Sequence, residues 1–289
     1  MSEVKASELV AKTHDIISMP EICFNVYNMA NNPLCSAVEM AQAISADPGL
    51  SANVLKVANS PYYGFPSRVD SITRAIAVIG TQDLRELVLA TSIVGAFSDV
   101  CQDTVNLNAF WHHSLITGLV ARQLGGKAKT PILRKERMFV AGLLHKIGVL
   151  VMATSKPDLY KQTQSQQSDI YHLLTQGEQD LFGCDHTEVG ESLMKSWNLP
   201  DMLSAVTRFH LSPTGCDEFK LETAIIHIAS MAVANDLAID TGGLTAPICE
   251  QSWVLTGLTE EQVNEAIGKS ILEYSEVASA FLSAASRAG

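Results

Sequence analysis

His145 and Lys146 interrupt an otherwise apolar run, Phe139 to Gly148 (FVAGLLHKIG), and their types are out of keeping with their surroundings. Phe139, Val140, Ala141, Leu143, Leu144 and Ile147 mark a buried helix, because a stretch with so few polar breaks belongs in a core. An imidazole there is either a ligand donor or a core group holding one hydrogen bond. Spacing alone favours the second, with a lysine whose stem carries its ammonium outward. Three more places put an imidazole on a patterned segment. His112 and His113 lie near a helix start in AFWHHSLITGLVARQLGG, where one of two neighbours is expected to be exposed. His186 leads a row formed by Val189, Leu193 and Trp197. His210 follows Leu203 and Val206 at spacings of three and four. No phosphate-binding GxxxxGKS loop, GxSxG elbow or HExxH helix competes with these residues. Asp103 and Glu191 have nothing that singles them out.

The elements that must position these residues read as helices. Ser18, Pro20 and Glu21 form a helix start, followed by Ile22, Val26 and Met29. Ser36 with Glu39 makes a second start, ahead of Met40, Ala41 and Ile44. SADPGL stops that helix, with Gly49 freeing the turn. A third helix follows through Leu50, Val54, Leu55 and Ala58, and NSPYYGFP is a loop. Ser71 opens a helix that Gly80 closes, and Thr81 begins the next. Trp111, Leu115 and Leu119 recur four apart until Gly125 and Gly126. KPDLYKQTQSQQSD is a surface connection and helix. Asp185 caps the helix of His186, and Pro200 starts the helix of His210. Leu221 to Asp240 is a further helix, TGGLTAP a loop, and Thr259 with Gln262 caps a last helix through Val263, Ile267 and Ile271. With no convincing strand alternation the fold class is all-α.

Composition sets the class. The 289 residues are 47% hydrophobic and 18% charged, which suits a compact protein with a substantial core. The net charge of -11 argues against non-specific binding to nucleic acid or an anionic membrane. Six cysteines form no CxxC pair, which points to a reducing cytoplasm. The polar N-terminus has no signal-peptide profile. Leu87 to Phe97, the longest greasy stretch, is too short to span a bilayer, so no transmembrane helix is expected.

The segments ISMPEICFNVYNMANN and AQAISADPGLSANVLKVANSPYYGFPSRVDSITRAIAVIGTQDLRELVLATSI, with the later GLLHKIG, resemble the HDOD domain. That domain is a helical output module related to the HD metal-dependent phosphohydrolases. The resemblance covers residues 12–215 and implies a multi-helical HD-like bundle, with residues 216–289 as a helical extension packed on it. In the related enzymes, a WxHS pattern supplies the first histidine ligand, which carries over to His113 through Trp111 and Ser114. GLLHDIG supplies the next pair, so His145 matches and Lys146 replaces the aspartate. His186 resembles the histidine of HxxxG…LxxxWxLP. Where many HD enzymes have two adjacent histidines, this chain has Phe209 and His210. The last aspartate aligns with Ser230. Asp236 lies six residues further on, about 240° round the helix, and is expected to point elsewhere.

What the resemblance implies about function follows from those departures. An HD hydrolase holds a divalent ion with imidazoles and hard carboxylates, and the ion activates water and stabilises phosphoryl charge. Here His113 and His145 remain as a vestigial metal pair, and Lys146, His186, His210 and Ser230 complete a remnant site. Neither catalytic nor cofactor-binding residues are assigned, and no cofactor is expected, a divalent metal being the alternative. The lysine ammonium would stand in the metal's place, beside an acidic side chain or several carbonyls. The expected role is a bacterial signalling module that meets a protein partner in trans. The competing role is a phosphohydrolase acting on a nucleotide or cyclic dinucleotide.

Overall fold

The computed structural model describes residues 6–13, 17, 19, 21–32, 35–97, 103–132, 134–165, 171–241 and 245–285. Among them every regular element is a helix, and no strand occurs. The chain divides into two compact units, one within residues 1–16 and 100–268, the other within 17–99 and 269–289.

In chain order, α1 (Ala6–Thr13) belongs to the first unit. The second unit takes α2 (Glu21–Asn31), α3 (Ala37–Ser45), α4 (Pro48–Ala58), α5 (Ile72–Ile79) and α6 (Thr81–Ala96). The first unit resumes with α7 (Leu107–Gly125), α8 (Lys135–Leu144), α9 (Ile147–Ser155), α10 (Pro157–Ser165) and α11 (Tyr171–Phe182). It continues with α12 (His186–Ser196), α13 (Asp201–Phe209), α14 (Lys220–Thr241) and α15 (Glu250–Thr256). The last helix, α16 (Glu260–Ala285), begins in the first unit and ends in the second.

Local chemistry explains several of these boundaries. Ser36 Oγ accepts the Glu39 amide while the Glu39 carboxylate accepts the Ser36 amide at 2.7 Å, a reciprocal cap on α3. Asp185 and Glu188 make the same arrangement on α12, and Thr259 with Gln262 on α16. Ser71 caps α5 and Gly80, at φ 90°, closes it. SADPGL stops α3 at Ser45 as expected, but by a different device. Gly49 frees no turn, because α4 already begins at Pro48, whose fixed φ and missing N–H suit a first helical position, and Asp47 caps it through the Leu50 amide at 2.9 Å. The expected start at Ser18 and Pro20 lies outside the described residues. The seven-residue α15 has no counterpart in the sequence reading.

FVAGLLHKIG is not one helix. It breaks at His145 and Lys146, between α8 and α9. His145 Nδ1–H donates to the Gly142 carbonyl at 2.6 Å, taking the acceptor that a continuing helix would offer to the amide of residue 146. The redirected chain carries Gly148 against α12, where a Cβ would fall onto the His186 carbonyl oxygen. On the other side of the break, a Cβ on Gly142 would lie 2.7 Å from Gly118 Cα, so α7 and α8 touch backbone to backbone. By length and composition Lys135–Ser155 is apolar enough to cross a membrane, a longer stretch than Leu87 to Phe97, and most of it is buried inside the protein. Its apolarity serves the core of the first unit. There α7 packs on α8 and α14, α9 on α12, α12 on α13, and α13 on α8 and α14.

Candidate functional site

The helices that meet in the first unit bring one imidazole each to a common place. His113 comes from the middle of α7, His145 from the end of α8, His186 from the first residue of α12 and His210 from just beyond α13. The rings form a chain: His113 to His145 at 5.4 Å between centroids, His145 to His210 at 4.8 Å, and His210 to His186 at 5.6 Å. Ser230, from α14, closes the group by bonding both ends of the first pair. All six residues assigned from the sequence therefore belong to this neighbourhood, Lys146 included, since its charge acts on His113, His145 and His210. His112 stays half-exposed, and Asp236 is half-exposed on α14 while Ser230 is fully buried.

The protons can be placed from the acceptors. Carbonyl and carboxylate oxygens accept only, so an imidazole nitrogen facing one carries the hydrogen. His145 donates from Nδ1 to Gly142 O, and its Nε2 lone pair accepts the Ser230 hydroxyl at 2.9 Å. His210 donates from Nδ1 to Thr207 O at 2.9 Å. His113 donates from Nε2 to Ser230 O at 3.3 Å. His186 donates from Nδ1 to Glu178 Oε2 at 2.7 Å, and the same oxygen accepts the His186 amide at 2.8 Å.

Burial holds three of these rings, those of His113, His145 and His210, neutral. It pushes His113 down to about 3, assisted by the Lys146 charge and opposed by the Ser230 carbonyl. Burial likewise holds His145 well below the usual histidine value, with His210, His113 and Lys146 adding to it. For His210 the causes are burial, then His186, with Lys146 contributing. Desolvation disfavours the charged form, and a neighbouring cation disfavours it again.

Two groups of the site escaped the sequence reading. Glu178, on α11, is fully buried and anchors His186. It lies on a different helix eight positions earlier, so no helical spacing ties it to His186. His227 donates from Nδ1 to His210 O at 2.7 Å and accepts the Cys249 amide on Nε2 at 3.0 Å. It precedes Ser230 by three on α14, and that i, i+3 relation is a signal the sequence did carry.

The donor set decides what this arrangement can hold. His145 Nε2 is taken by the Ser230 hydroxyl, Glu178 contributes a single carboxylate whose Oε2 is engaged by His186 while Oε1 has no hydrogen-bond partner among the described residues, and a lysine stands beside the group. Among the described residues no set of three or more His, Cys, Asp or Glu is arranged to hold a metal ion. Mg²⁺ and Mn²⁺ require oxygen-rich, anionic shells, and these residues do not fit them. Ser230, His145 and the Gly142 carbonyl have the order nucleophile, base and orienting group. His145 and Ser230 are both 0% exposed, so no phosphate ester reaches that hydroxyl in this conformation. Nε2 of His186 and of His210 is buried with no hydrogen-bonding group within reach among the described residues.

Known proteins match this architecture. A curated, uncharacterized protein of Treponema pallidum (strain Nichols) is 25% identical over 232 residues, 79% of this chain. The chain spans only 44% of that relative's length. A crystal structure from Shewanella amazonensis SB2B, named "Putative phosphohydrolase", is 24% identical, with a TM-score of 0.76 over 96% of this chain and 98% of that one. An HDOD domain protein of unknown function from Geobacter sulfurreducens is 23% identical, with a TM-score of 0.73 over the same shares. At those identities the two structures establish the fold alone. Residues 16–213 match the HDOD domain family, and the chain belongs to it.

Proposed function

We propose that this chain is a non-catalytic signalling module that works through protein contacts, and that its histidine cluster is the remnant of an HD-type metal site. The observation that carries the reading is the hydrogen bond between Ser230 and His145. The serine hydroxyl donates to the nitrogen a metal would need, at the position where the related enzymes place an aspartate. Lys146, at the other carboxylate position, adds a positive charge that acts on three of the four imidazoles. A cluster this deeply buried and internally bonded serves rigidity better than turnover. The net charge of -11 supports a protein partner over nucleic acid or an anionic membrane. The partner is reached in trans, in the cytoplasm.

One observation favours the hydrolase reading. The buried Nε2 atoms of His186 and His210 resemble ligand nitrogens whose Nδ1–H is already oriented, by Glu178 and by the Thr207 carbonyl. Purified protein assayed with bis-p-nitrophenyl phosphate and nucleotides, in the presence of Mn²⁺, separates the two. No turnover and no stoichiometric metal are expected. Turnover abolished by His145→Ala, or tightly bound metal in the wild type, would overturn the proposal.

A further inference from the structure

The second unit contains a cleft of about 840 Å³ between one face of α4 and the loop that follows it. Leu55 and Lys56 line it from the helix, Asn59 from the helix's C-terminal cap, and Phe65, Arg68 and Asp70 from the loop. Its walls are fixed. The Asn59 side chain donates to the Leu55 and Val69 carbonyls and accepts the Val69 amide, all at 2.7–2.8 Å. Tyr63 stacks on Phe65 with centroids 5.4 Å apart and planes 5° from parallel. One face of Phe65 is thereby covered, while the same ring lines the cleft. The Lys56 ammonium is steered by the Ser279 carbonyl at 2.7 Å.

Charge selects the class of ligand. The stretch 17–99 contains four basic residues, Lys56, Arg68, Arg74 and Arg85. Arg85 is buried against Glu86. The other three gather at this loop, with Lys56 and Arg68 lining the cleft and Arg74 bonded to Ser67 Oγ at 2.8 Å. A local cluster of cations on a chain of net charge -11 favours an anionic ligand. A guanidinium and an ammonium suit phosphate oxygens. An aromatic ring suits a planar base, and a carboxylate such as Asp70 accepts from sugar hydroxyls. The volume is in the usual range for small-molecule sites. We propose that this cleft binds a nucleoside triphosphate, its phosphates against Lys56 and Arg68 and its base against Phe65. Binding is reversible and involves no bond cleavage. The cleft belongs wholly to the second unit and the histidine cluster wholly to the first, so this assignment does not depend on the reading of that cluster.

Calorimetric titration of the full chain with ATP, GTP and inorganic pyrophosphate, at low and high salt, tests it. At least one nucleotide binds saturably and more weakly as salt rises. Lys56→Ala and Arg68→Gln each weaken binding roughly tenfold or more. Phe65→Leu weakens the nucleotide and leaves pyrophosphate unchanged. Should Lys56→Ala fail to fold after losing its contact to Ser279, the exposed Arg68 keeps the test intact. Absence of saturable nucleotide binding would overturn the proposal, as would affinity indifferent to both charge removals. Pyrophosphate binding as tightly as ATP and GTP would remove the nucleoside from the ligand and overturn it equally.

Discussion

Removing the Glu178 side chain should be among the most damaging single changes in the first unit. Glu178 is 0% exposed, and one of its oxygens accepts from both the backbone N–H and the Nδ1–H of His186. In Glu178→Ala both donors lose their acceptor inside the core. Leaving a buried donor unsatisfied costs about 1–3 kcal/mol, and here two donors are left. We expect Glu178→Ala to destabilise the unit by about 3–5 kcal/mol, a large share of a typical ~5–15 kcal/mol domain stability. Glu178→Gln keeps an oxygen that accepts both bonds, so its cost is about 1–2 kcal/mol. Urea unfolding followed by tryptophan fluorescence reads this unit selectively, because Trp111, Trp197 and Trp253 all lie within it. A loss below about 1 kcal/mol for Glu178→Ala would refute the reasoning. Equal losses for the two variants would show that the acceptor geometry is not what matters.

Gly148→Ala drives a methyl group into the His186 carbonyl and is expected to cost about 3 kcal/mol in the same assay. Gly268→Ala, where a Cβ meets nothing within 4 Å, should be neutral or gain up to about 1 kcal/mol. The depressed histidines fix a pH dependence. Their folded-state values lie below the unfolded value near 6.5, so the unfolded chain takes up protons first as pH falls. The stability they allow is fully present above about pH 6.5 and declines below it. Between pH 7 and 5.5 the loss is about 1 kcal/mol for each of His113, His145 and His210, measurable as a falling urea midpoint. A flat profile over that window would contradict the neutral cluster. Lys146→Asp combined with Ser230→Asp supplies two hard ligands and removes the positive charge, and calorimetry should then detect divalent-metal binding stronger than that of the wild type. Equal, negligible binding in a folded double mutant would mean that geometry, and not charge, closes the site.

The helical character of this chain was legible because it is written locally. Ser36 with Glu39, Asp185, and Thr259 with Gln262 each satisfy orphan amides within one turn, and residue identity alone announces them, Glu188 joining Asp185 in the structure. The apolar rows of His186 and His210 placed those imidazoles on inward faces for the same reason. What periodicity could not give is where two helices meet. The break at His145 depends on an imidazole competing for the Gly142 carbonyl, and on Gly148 lying against His186 from another helix. Glu178 was silent because its partner is on another helix and nothing in its own neighbourhood distinguishes it from a surface acid. The sequence by itself determined which groups were available: four imidazoles on patterned segments, a lysine and a serine. Only the tertiary structure decided their roles. Which nitrogen of His113 and of His186 carries the proton is set by a carbonyl or carboxylate brought up from another helix, and how neutral His113, His145 and His210 stay is set by the depth at which the packed helices bury them.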